Sequence, residues 1–454
     1  MNSQDPQITV YITNHNYARF IGQAIESVLN QTLQDFELII IDDGSTDNSR
    51  EIIESHSEHE KIVTIFQQNK GLNVSNNIAL RAARGRYIMR LDADDYLDEN
   101  ALMVLAGVLD RSPEFGLVFP DYFLVDEEGN ILEMQRRHNF DEVTLLDQPA
   151  HGACTLIRRH CLLDLGGYNQ AFTCQDGYEM WIRFIQLHRV QNVNLPLFYY
   201  RQHPQSLTRN DRKIQATRAR ITEVEAKRRD RHLTAVAIVP VRGRNLDPGS
   251  SALKRLGGRA LIDWTLHAAL ESTRLSGVIV TTPDKELLDH VARNYGERVL
   301  RIRRERRLAM PNTLIEDSLL HALTEYSQSY PAPDVVVVLY IECPFRTAQH
   351  IDHALGVMEL FDTDTVIAVR PTTELFYRHN GGSLEPLRKT RMLRLEREEL
   401  YRGVGQMCAV RRTFLEEQRQ VVGGILGHII IDRRAAWRLQ FEWDWEVAES
   451  WAGQ

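Results

Sequence analysis

Short apolar runs alternate with amphipathic stretches along the first half of the chain. The runs are typical of buried strands, and the stretches between them repeat their apolar residues every three or four positions, as helices do. Strands are predicted at residues 8–12, 36–41, 62–66 and 87–91, and the first predicted helix carries Phe20, Ile21, Ala24, Ile25, Val28 and Leu29. This alternation predicts an α/β fold with a doubly wound sheet.

A second series of strands and helices begins after a charged stretch. Residues 209–232 are rich in Arg, Lys, Asp and Glu and have few apolar positions, which predicts an exposed helix. Strands are predicted at 235–239, 277–281 and 334–340. We therefore expect two doubly wound nucleotide-binding domains, at residues 1–208 and 234–454, joined by a charged helical linker at residues 209–233.

Composition narrows the class of protein. The chain has 454 residues, of which 43% are hydrophobic and 26% charged, and its net charge of -8 argues against a nucleic-acid partner. The five cysteines show no C-x-x-C spacing, which favours a reducing compartment over a disulfide framework or a zinc site. Neither a signal peptide nor a run of about 18 apolar residues is present. We expect a cytoplasmic protein without a membrane span, and peripheral contact with a membrane stays open.

Acidic residues stand where strands of the first half end. Asp42 and Asp43 follow the second strand, Asp92 and Asp94 follow the fourth, and Asp176 begins a helix. A divalent cation held by carboxylates can stabilise a departing diphosphate, and alternate residues of an extended segment point the same way. A carboxylate can also act as the general base for an acceptor hydroxyl, and Asp176 is the candidate.

Each acidic cluster also has a purely structural interpretation. Asp42 and Asp43 can end a strand in a turn, and an Asp-x-Asp sequence after a strand is often only a polar loop. Asp176 can cap the N-terminus of the helix that carries Trp181. The order of the clusters and their flanking sequences favour a functional interpretation.

Seven segments between residues 8 and 207 carry a common pattern. They read ITVYITNHNYARFIGQAIESVLNQT, FELIIIDDGSTDNS, NKGLNVSNNIAL, ARGRYIMRLDADD, LGGYNQAF, QDGYEMWIRF and YYRQHPQSLT. Together they resemble family 2 glycosyltransferases, which have the GT-A fold. The resemblance implies an inverting, metal-dependent transferase that uses Mg²⁺ or Mn²⁺ to move a sugar from a nucleotide-sugar donor to an acceptor hydroxyl.

The resemblance also assigns roles at the donor site. It implies that Asp42 and Asp43 contact the donor nucleoside, and that Asp92 and Asp94 bind the metal and the diphosphate, with Asp94 the more direct ligand. Thr13-Asn14-His15-Asn16 stands where the family usually has Pro-Thr-Tyr-Asn. This places Asn14 among the donor-binding residues and leaves the donor nucleotide open.

Later motifs imply the base and the groups around the leaving diphosphate. Asp176 is implied to be the base, and Glu179 is the alternative, because Asp176 lies five residues before Trp181 instead of four. Arg201 and His203 resemble the motif that closes over the diphosphate, a task suited to the paired donors of a guanidinium. A loop histidine without a role is the alternative for His203.

Six segments of the second half carry another pattern. They read AIVPVRG, LGGRALIDWTLHAAL, VIVTTPDKELLDHVARNYG, CPFRTAQHIDHAL, REELYRGVGQMCAVRRTFL and DWEVAES. They resemble the cytidylyltransferases that activate acidic sugars, such as sialic acid or Kdo, as CMP-sugars. The expected fold is therefore an N-terminal GT-A domain followed by a C-terminal nucleotidyltransferase-like domain.

The catalytic pattern of the second domain is not intact. Arg242 and Gly243 retain part of the nucleotide-binding loop, whereas the family's two loop lysines and its metal-binding Asp-x-Asp fall on Leu246, Ser251, Arg438 and Gln440. An arginine cannot ligate magnesium, and an aliphatic side chain cannot neutralise a triphosphate. We expect a degenerate or repurposed domain with a vestigial nucleotide site at Arg242 and Gly243.

The pairing of the two domains suggests assembly of a surface polysaccharide, a lipopolysaccharide or another glycan, by analogy only. The expected partners are a nucleotide-sugar donor and a glycan or lipid-linked acceptor. Two alternatives for the second domain stay open. It could supply a CMP-activated acidic sugar, which would make the protein bifunctional, or it could be a non-catalytic binding module that forms a homodimer.

Overall fold

A computed structural model of the chain describes residues 5–135, 152–172, 176–203, 211–228, 232–243, 251–372, 374, 376–379, 381–386 and 400–452. The chain divides into two compact units, one mainly from Met1 to Arg218 and the other mainly from Ala219 onwards. Each unit contains one large sheet with helices beside it. Among the helices of the described residues, none is long and apolar enough to cross a membrane.

The first unit alternates strands and helices, as its hydrophobic pattern predicts. Its elements are β1 (Ile8–Asn14), α1 (Ala18–Leu29), β2 (Phe36–Asp43), α2 (Ser49–His56), β3 (Ile62–Gln67), α3 (Leu72–Ala82), β4 (Tyr87–Asp92), β5 (Tyr96–Leu97), α4 (Ala101–Arg111), β6 (Phe115–Val125), β7 (Ile131–Gln135), β8 (Leu156–Arg158), α5 (Arg159–Asp164), α6 (Asp176–Leu187) and β9 (Arg189–Arg201). The first helix and all four strands predicted in this half are confirmed.

The register of the first sheet gathers the polar strand ends at one edge. The strand order is β3-β2-β1-β4-β8-β6-β9-β5, with β7 beside β6, and β3, β2, β1 and β4 run parallel. Asn14 pairs with Asp42 of β2, and Thr13 pairs with Asp92 of β4. Because parallel strands end at the same edge, the acidic clusters of two separate motifs become neighbours.

Both faces of this sheet are buried. Ile8, Val10 and Ile12 of β1 lie in one cluster, whereas Tyr11 lies in a second cluster across the sheet together with Ile39. Successive side chains of a strand point to opposite faces, so a strand that is apolar throughout needs cover on both sides. The doubly wound α/β fold predicted for this half is therefore confirmed.

The second unit repeats the α/β plan around a seven-stranded sheet. Its strands are β10 (Ala235–Pro240), β11 (Arg255–Leu256), β12 (Arg259–Ala260), β13 (Leu275–Thr282), β14 (Leu300–Arg303), β15 (Val335–Leu339), β16 (Thr365–Thr372), β17 (Tyr377–His379), β18 (Leu384–Pro386), β19 (Leu400–Arg411) and β20 (Leu426–Ile430). The order in the large sheet is β14-β13-β10-β15-β19-β16-β20, and β14, β13, β10 and β15 run parallel. The three strands predicted in this half are confirmed.

Six α-helices of the described residues flank this second sheet. They are α8 (Leu261–Glu271), α9 (Lys285–Tyr295), α10 (Ile315–Ser327), α11 (Ala348–Phe361), α12 (Arg412–Gln418) and α13 (Glu442–Ala452), with short 3₁₀ turns at Gly296–Arg298 and Arg306–Ala309. The predicted helix at residues 261–270 coincides with α8, which buries Leu261, Ile262 and Leu266.

The charged segment between the two domains forms helix α7 (Asp211–Lys227). The expectation of an exposed helix is wrong for its second half, where Ile221, Thr222, Glu225 and Ala226 are buried. A Cβ on Gly356 of α11 would lie 2.9 Å from Cγ2 of Thr222, so the two helices approach closely. A few small and apolar residues on one side are enough to bury an otherwise charged helix.

Candidate functional site

The ends of β1 and β2 are tied together by side chains. The Asn14 amide donates to Oδ1 of Asp42 and to Oγ of Ser45, both at 2.9 Å, and the backbone N–H of Ser45 donates to Oδ2 of Asp42 at 3.2 Å. Among the described residues, the buried Asn14 carboxamide oxygen has no hydrogen-bond partner. The structure thus brings Asn14 and Asp42 into one polar cluster.

The carboxylate of Asp43 holds the loop that leads into α3. Its two oxygens accept the backbone N–H groups of Lys70 and Gly71, each at 2.8 Å, and Oδ1 also accepts the Gln67 amide at 2.7 Å. Gly71 precedes α3 with a φ of 89°, a conformation that favours glycine. Asp43 therefore fixes the loop next to the polar cluster of Asn14 and Asp42.

Asp92 is paired with an arginine on its own strand. Arg90 donates from Nε to Oδ1 of Asp92 at 2.7 Å and from Nη2 to Oδ2 at 3.0 Å. Residues two apart on a strand share a face, so the Arg-x-Asp spacing in the sequence could have predicted this pair. Arg90 is a site residue that the sequence analysis missed, and it compensates the charge of Asp92.

Asp94 contacts a residue from a much later motif. Its Oδ2 lies 2.9 Å from Nε2 of His203, which is only 4% exposed. The rings of Tyr17 and Phe20 flank this imidazole, with centroid distances of 5.6 and 5.4 Å. A carboxylate and an imidazole are both metal ligands, and β4 and β9 deliver them to one point.

Asp95 adds a further buried carboxyl group beside this pair. It is 1% exposed, and its Oδ1 accepts the backbone N–H of Arg201 at 2.9 Å, whereas its Oδ2 has no partner among the described residues. Burial, together with the charges of Asp94 and Asp92, raises the pKa of Asp95 well above its usual range. A cation bound at this point would lower the repulsion between the carboxylates.

The role predicted for Arg201 is not the one that its contacts describe. The side chain is 2% exposed, and its guanidinium donates to the backbone oxygens of Asp94, Asp126 and Glu127 and to the Gln23 side chain, at 2.6 to 3.2 Å. A guanidinium has five N–H groups, so four of them already have acceptors in the protein. In this structure Arg201 holds the loops around Asp94 together instead of facing a diphosphate.

Replacing Arg201 with methionine should lower the free energy of unfolding by about 3 kcal/mol or more, because a buried guanidinium and its bonds to three backbone oxygens would be lost. Arg19→Met is the matched control. Arg19 is 57% exposed and pairs with Glu127, so its loss should change stability by less than about 1 kcal/mol. Thermal unfolding of the three proteins compares them, and equal midpoints for both variants would contradict the structural role of Arg201.

The two candidate bases lie at the start of α6. The helix begins at Asp176, whose side chain lies outside the described residues. Glu179 is buried and accepts Nε and Nη2 of Arg183 at 2.9 and 2.6 Å. Both carboxylate oxygens of Glu179 are thus engaged by Arg183, which favours Asp176 over Glu179 as the base.

A cavity of about 720 Å³ lies in the second unit, where β10 and β15 end. Arg242, Ser251, Arg438 and Gln440 line this cavity, and Leu246 lies outside the described residues. Gly243 has a φ of 79°, and a Cβ at this position would overlap the Cβ of Asp284. Arg242 and three of the altered catalytic positions therefore border one cavity, at the edge where sheets of this type bind ligands, whereas Gly243 does not line it.

Both halves of the chain match known families. Residues 9–166 match the model of glycosyl transferase family 2, and residues 250–377 match that of the cytidylyltransferases. The two resemblances found in the sequence are therefore confirmed.

Similar proteins match the first half. The chondroitin synthase of Escherichia coli is 28% identical over 193 residues, which are 42% of this chain and 28% of that protein. An uncharacterized glycosyltransferase of Nostoc sp. is 43% identical over 114 residues, 25% of this chain and 35% of that protein. The hyaluronan synthase of Pasteurella multocida is 27% identical over 195 residues, 42% of this chain and 20% of that protein. The matched segments thus span between 20% and 35% of the length of these relatives.

Solved structures also resemble half of the chain. TarS of S. aureus in complex with UDP-GlcNAc has a TM-score of 0.43 and 18% identity, covering 50% of this chain and 68% of that chain. The mannosyltransferase PcManGT from Pyrobaculum calidifontis, in complex with GDP-Man and Mn²⁺, has a TM-score of 0.37 and 16% identity, covering 50% and 66%. Similarity at this level does not identify the ligands of the present chain.

Proposed function

We propose that this chain, in which residues 9–166 are a family 2 glycosyltransferase domain and residues 250–377 a cytidylyltransferase domain, transfers a sugar from a nucleotide-sugar to an acceptor hydroxyl with inversion. The observation that carries the proposal is the contact of His203 with Asp94, which follows β4 next to the end of β1. One edge of the sheet then offers a nucleoside end, at Asn14 and Asp42, and a diphosphate end, at Asp94.

Asp94 and His203 offer a carboxylate and an imidazole at the diphosphate end, a pair that suits Mn²⁺ better than Mg²⁺. Asp94 and His203 would hold the ion, because an oxygen of one and a nitrogen of the other face each other at 2.9 Å. When bound, the ion neutralises the charge that develops on the leaving diphosphate. Asp92 suits this task less than its motif suggests, since both of its oxygens accept hydrogen bonds from Arg90.

The remaining steps are assigned to residues of the same unit. Asp42 and Asn14 bind the nucleoside, and Asp43 keeps the adjoining loop in place. Asp176, at the start of α6, removes the proton of the acceptor hydroxyl as that oxygen attacks the anomeric carbon. A single displacement, with the acceptor opposite the leaving diphosphate, inverts the anomeric centre.

The relatives support a setting in polysaccharide or glycan assembly. Two of the similar proteins are a chondroitin synthase and a hyaluronan synthase, both of which are much longer than the matched segment. We propose a glycan or lipid-linked acceptor for the present chain.

A donor screen on the full-length protein tests the proposed function. UDP-, GDP-, dTDP- and CMP-sugars are offered with Mn²⁺, with Mg²⁺ or with EDTA, and binding and slow donor hydrolysis are recorded. We expect one nucleotide series to bind only in the presence of metal. Failure of every series to bind, with the fold intact by circular dichroism, would contradict the proposal.

A further inference from the structure

The cavity of the second unit is lined by an excess of positive charge. It lies where the neighbouring parallel strands β10 and β15 end. Its charged lining consists of Arg242, Lys254, Arg304 and Arg438, opposed by Glu342 and Glu442. Four cationic side chains against two carboxylates produce a positive field inside a concave site, which favours an anionic ligand.

Arg304 is a buried cation with unused hydrogen-bonding capacity. It is 3% exposed, and Nη2 donates to the backbone oxygen of Val241 at 2.9 Å. Its Nε–H has no acceptor among the described residues. Burial and the neighbouring Arg242 lower the pKa of Arg304 to about 10. A buried donor without a partner is unfavourable, and a ligand oxygen would supply both the missing acceptor and the missing negative charge.

The start of α10 adds backbone donors to the same wall. The cavity is bordered by Thr313, Ile315 and Ser318, which lie at the N-terminus of this 13-residue helix. The N-cap residue Leu314 provides no side-chain acceptor for the first N–H groups. Such a terminus favours anions, and here it stands beside the buried arginine, although its first turn also carries Glu316 and Asp317.

A divalent cation does not fit the donor set of this cavity. The positions that the family resemblance assigns to metal-binding carboxylates hold Arg438 and Gln440, and both line the cavity. A guanidinium has no lone pair to offer and repels a cation.

We propose that this cavity binds a phosphate-bearing small molecule through its arginines and lysine, without a divalent cation. The size of the cavity suits a nucleotide, and Lys254 lies 4.0 Å from the centroid of the Trp445 ring, which gives the wall an aromatic surface beside the cations. Because no metal can neutralise a departing pyrophosphate, the site holds its ligand without activating a sugar. The inference is independent of the transferase function proposed for the first unit.

Calorimetric titration of the full-length protein in EDTA tests this inference, since EDTA also suppresses metal-dependent donor binding at the first unit. Inorganic pyrophosphate and CTP are the probes. We expect pyrophosphate to bind, and CTP to bind at least as well. Arg242→Gln and Arg438→Gln should each weaken binding by on the order of tenfold, because each removes a charge-assisted hydrogen bond. Both side chains are exposed, so the fold should not depend on them.

Arg301→Gln is the matched control, because Arg301 is an exposed arginine of β14 that donates to the backbone oxygen of Gly296 at 3.0 Å and does not line the cavity. Its binding constants should equal those of the unchanged protein. The proposal is overturned by three results: no binding in EDTA, binding that appears only with Mg²⁺, or binding that survives both cavity variants. Release of pyrophosphate from CTP and an acidic sugar would also overturn it, in favour of a bifunctional protein.

Discussion

Replacement of Asp94 by asparagine should reduce sugar transfer by about a thousandfold, because a metal ligand worth several kcal/mol to the leaving diphosphate is lost. Metal-dependent donor binding should weaken in parallel. Asparagine keeps the size of the side chain and can still hydrogen-bond His203, so the fold should be retained. Asp92→Asn should weaken metal binding less, since Arg90 already engages both oxygens of Asp92.

Initial rates with the donor found in the screen, measured across a range of Mn²⁺ concentrations, separate these two carboxylates. Asp164→Asn is the matched control. Asp164 is an exposed carboxylate at the end of α5. This helix begins after Arg158, which pairs with Tyr87 at the end of β4 opposite to Asp92. The control substitution should leave rates unchanged. A larger loss of metal affinity in Asp92→Asn than in Asp94→Asn would overturn the metal ligands proposed here.

Asp176→Asn should reduce transfer to an acceptor by about a hundredfold to ten-thousandfold while leaving donor binding nearly unchanged. The amide cannot take the proton of the acceptor hydroxyl, and general base catalysis contributes a factor of this size. Donor affinity should persist, because the groups proposed to bind the nucleoside and the metal lie on other elements. Parallel measurements of donor binding by calorimetry and of transfer rate with acceptor present test this separation.

Glu179→Gln distinguishes the two carboxylates of α6. This change weakens the buried pair with Arg183 and should lower the melting temperature, with transfer retained below the transition. The reverse pattern, near-normal turnover in Asp176→Asn and loss of turnover in folded Glu179→Gln, would show that the base was assigned to the wrong residue.

Much of the candidate site follows from the sequence because parallel strands obey a simple rule. Once β1, β2 and β4 are recognised as parallel, their carboxyl ends must share an edge, so Asn14, Asp42 and Asp92 become neighbours. The rule for parallel strands does not predict the contact between Asp94 and His203, because these residues are 109 positions apart in the sequence. The resemblance of both motifs to one family supplied that link.

The orientation of individual side chains could not be predicted from the sequence to the same extent. Arg201 and His203 are two positions apart, yet one binds backbone oxygens in the interior and the other faces Asp94. Three acceptors of Arg201 are backbone carbonyl groups. Every residue has such a group, so the residue types in the sequence do not identify these acceptors. Likewise, the charged helix α7 buries Ile221 and Ala226, and its Thr222 lies close to Gly356 of a neighbouring helix, which no local pattern reveals.

The carboxylate of Asp43 has a further consequence for the way in which a donor is recognised. It fixes the backbone at Lys70 and Gly71 through hydrogen bonds within the protein, while Asp42 and Asn14 fix the turn at Ser45. Loops that are already held in place lose little conformational entropy when a ligand binds, so little of the binding free energy is spent on ordering them. Choice among nucleotide bases would then depend on a preformed shape instead of on loops that adapt to each base.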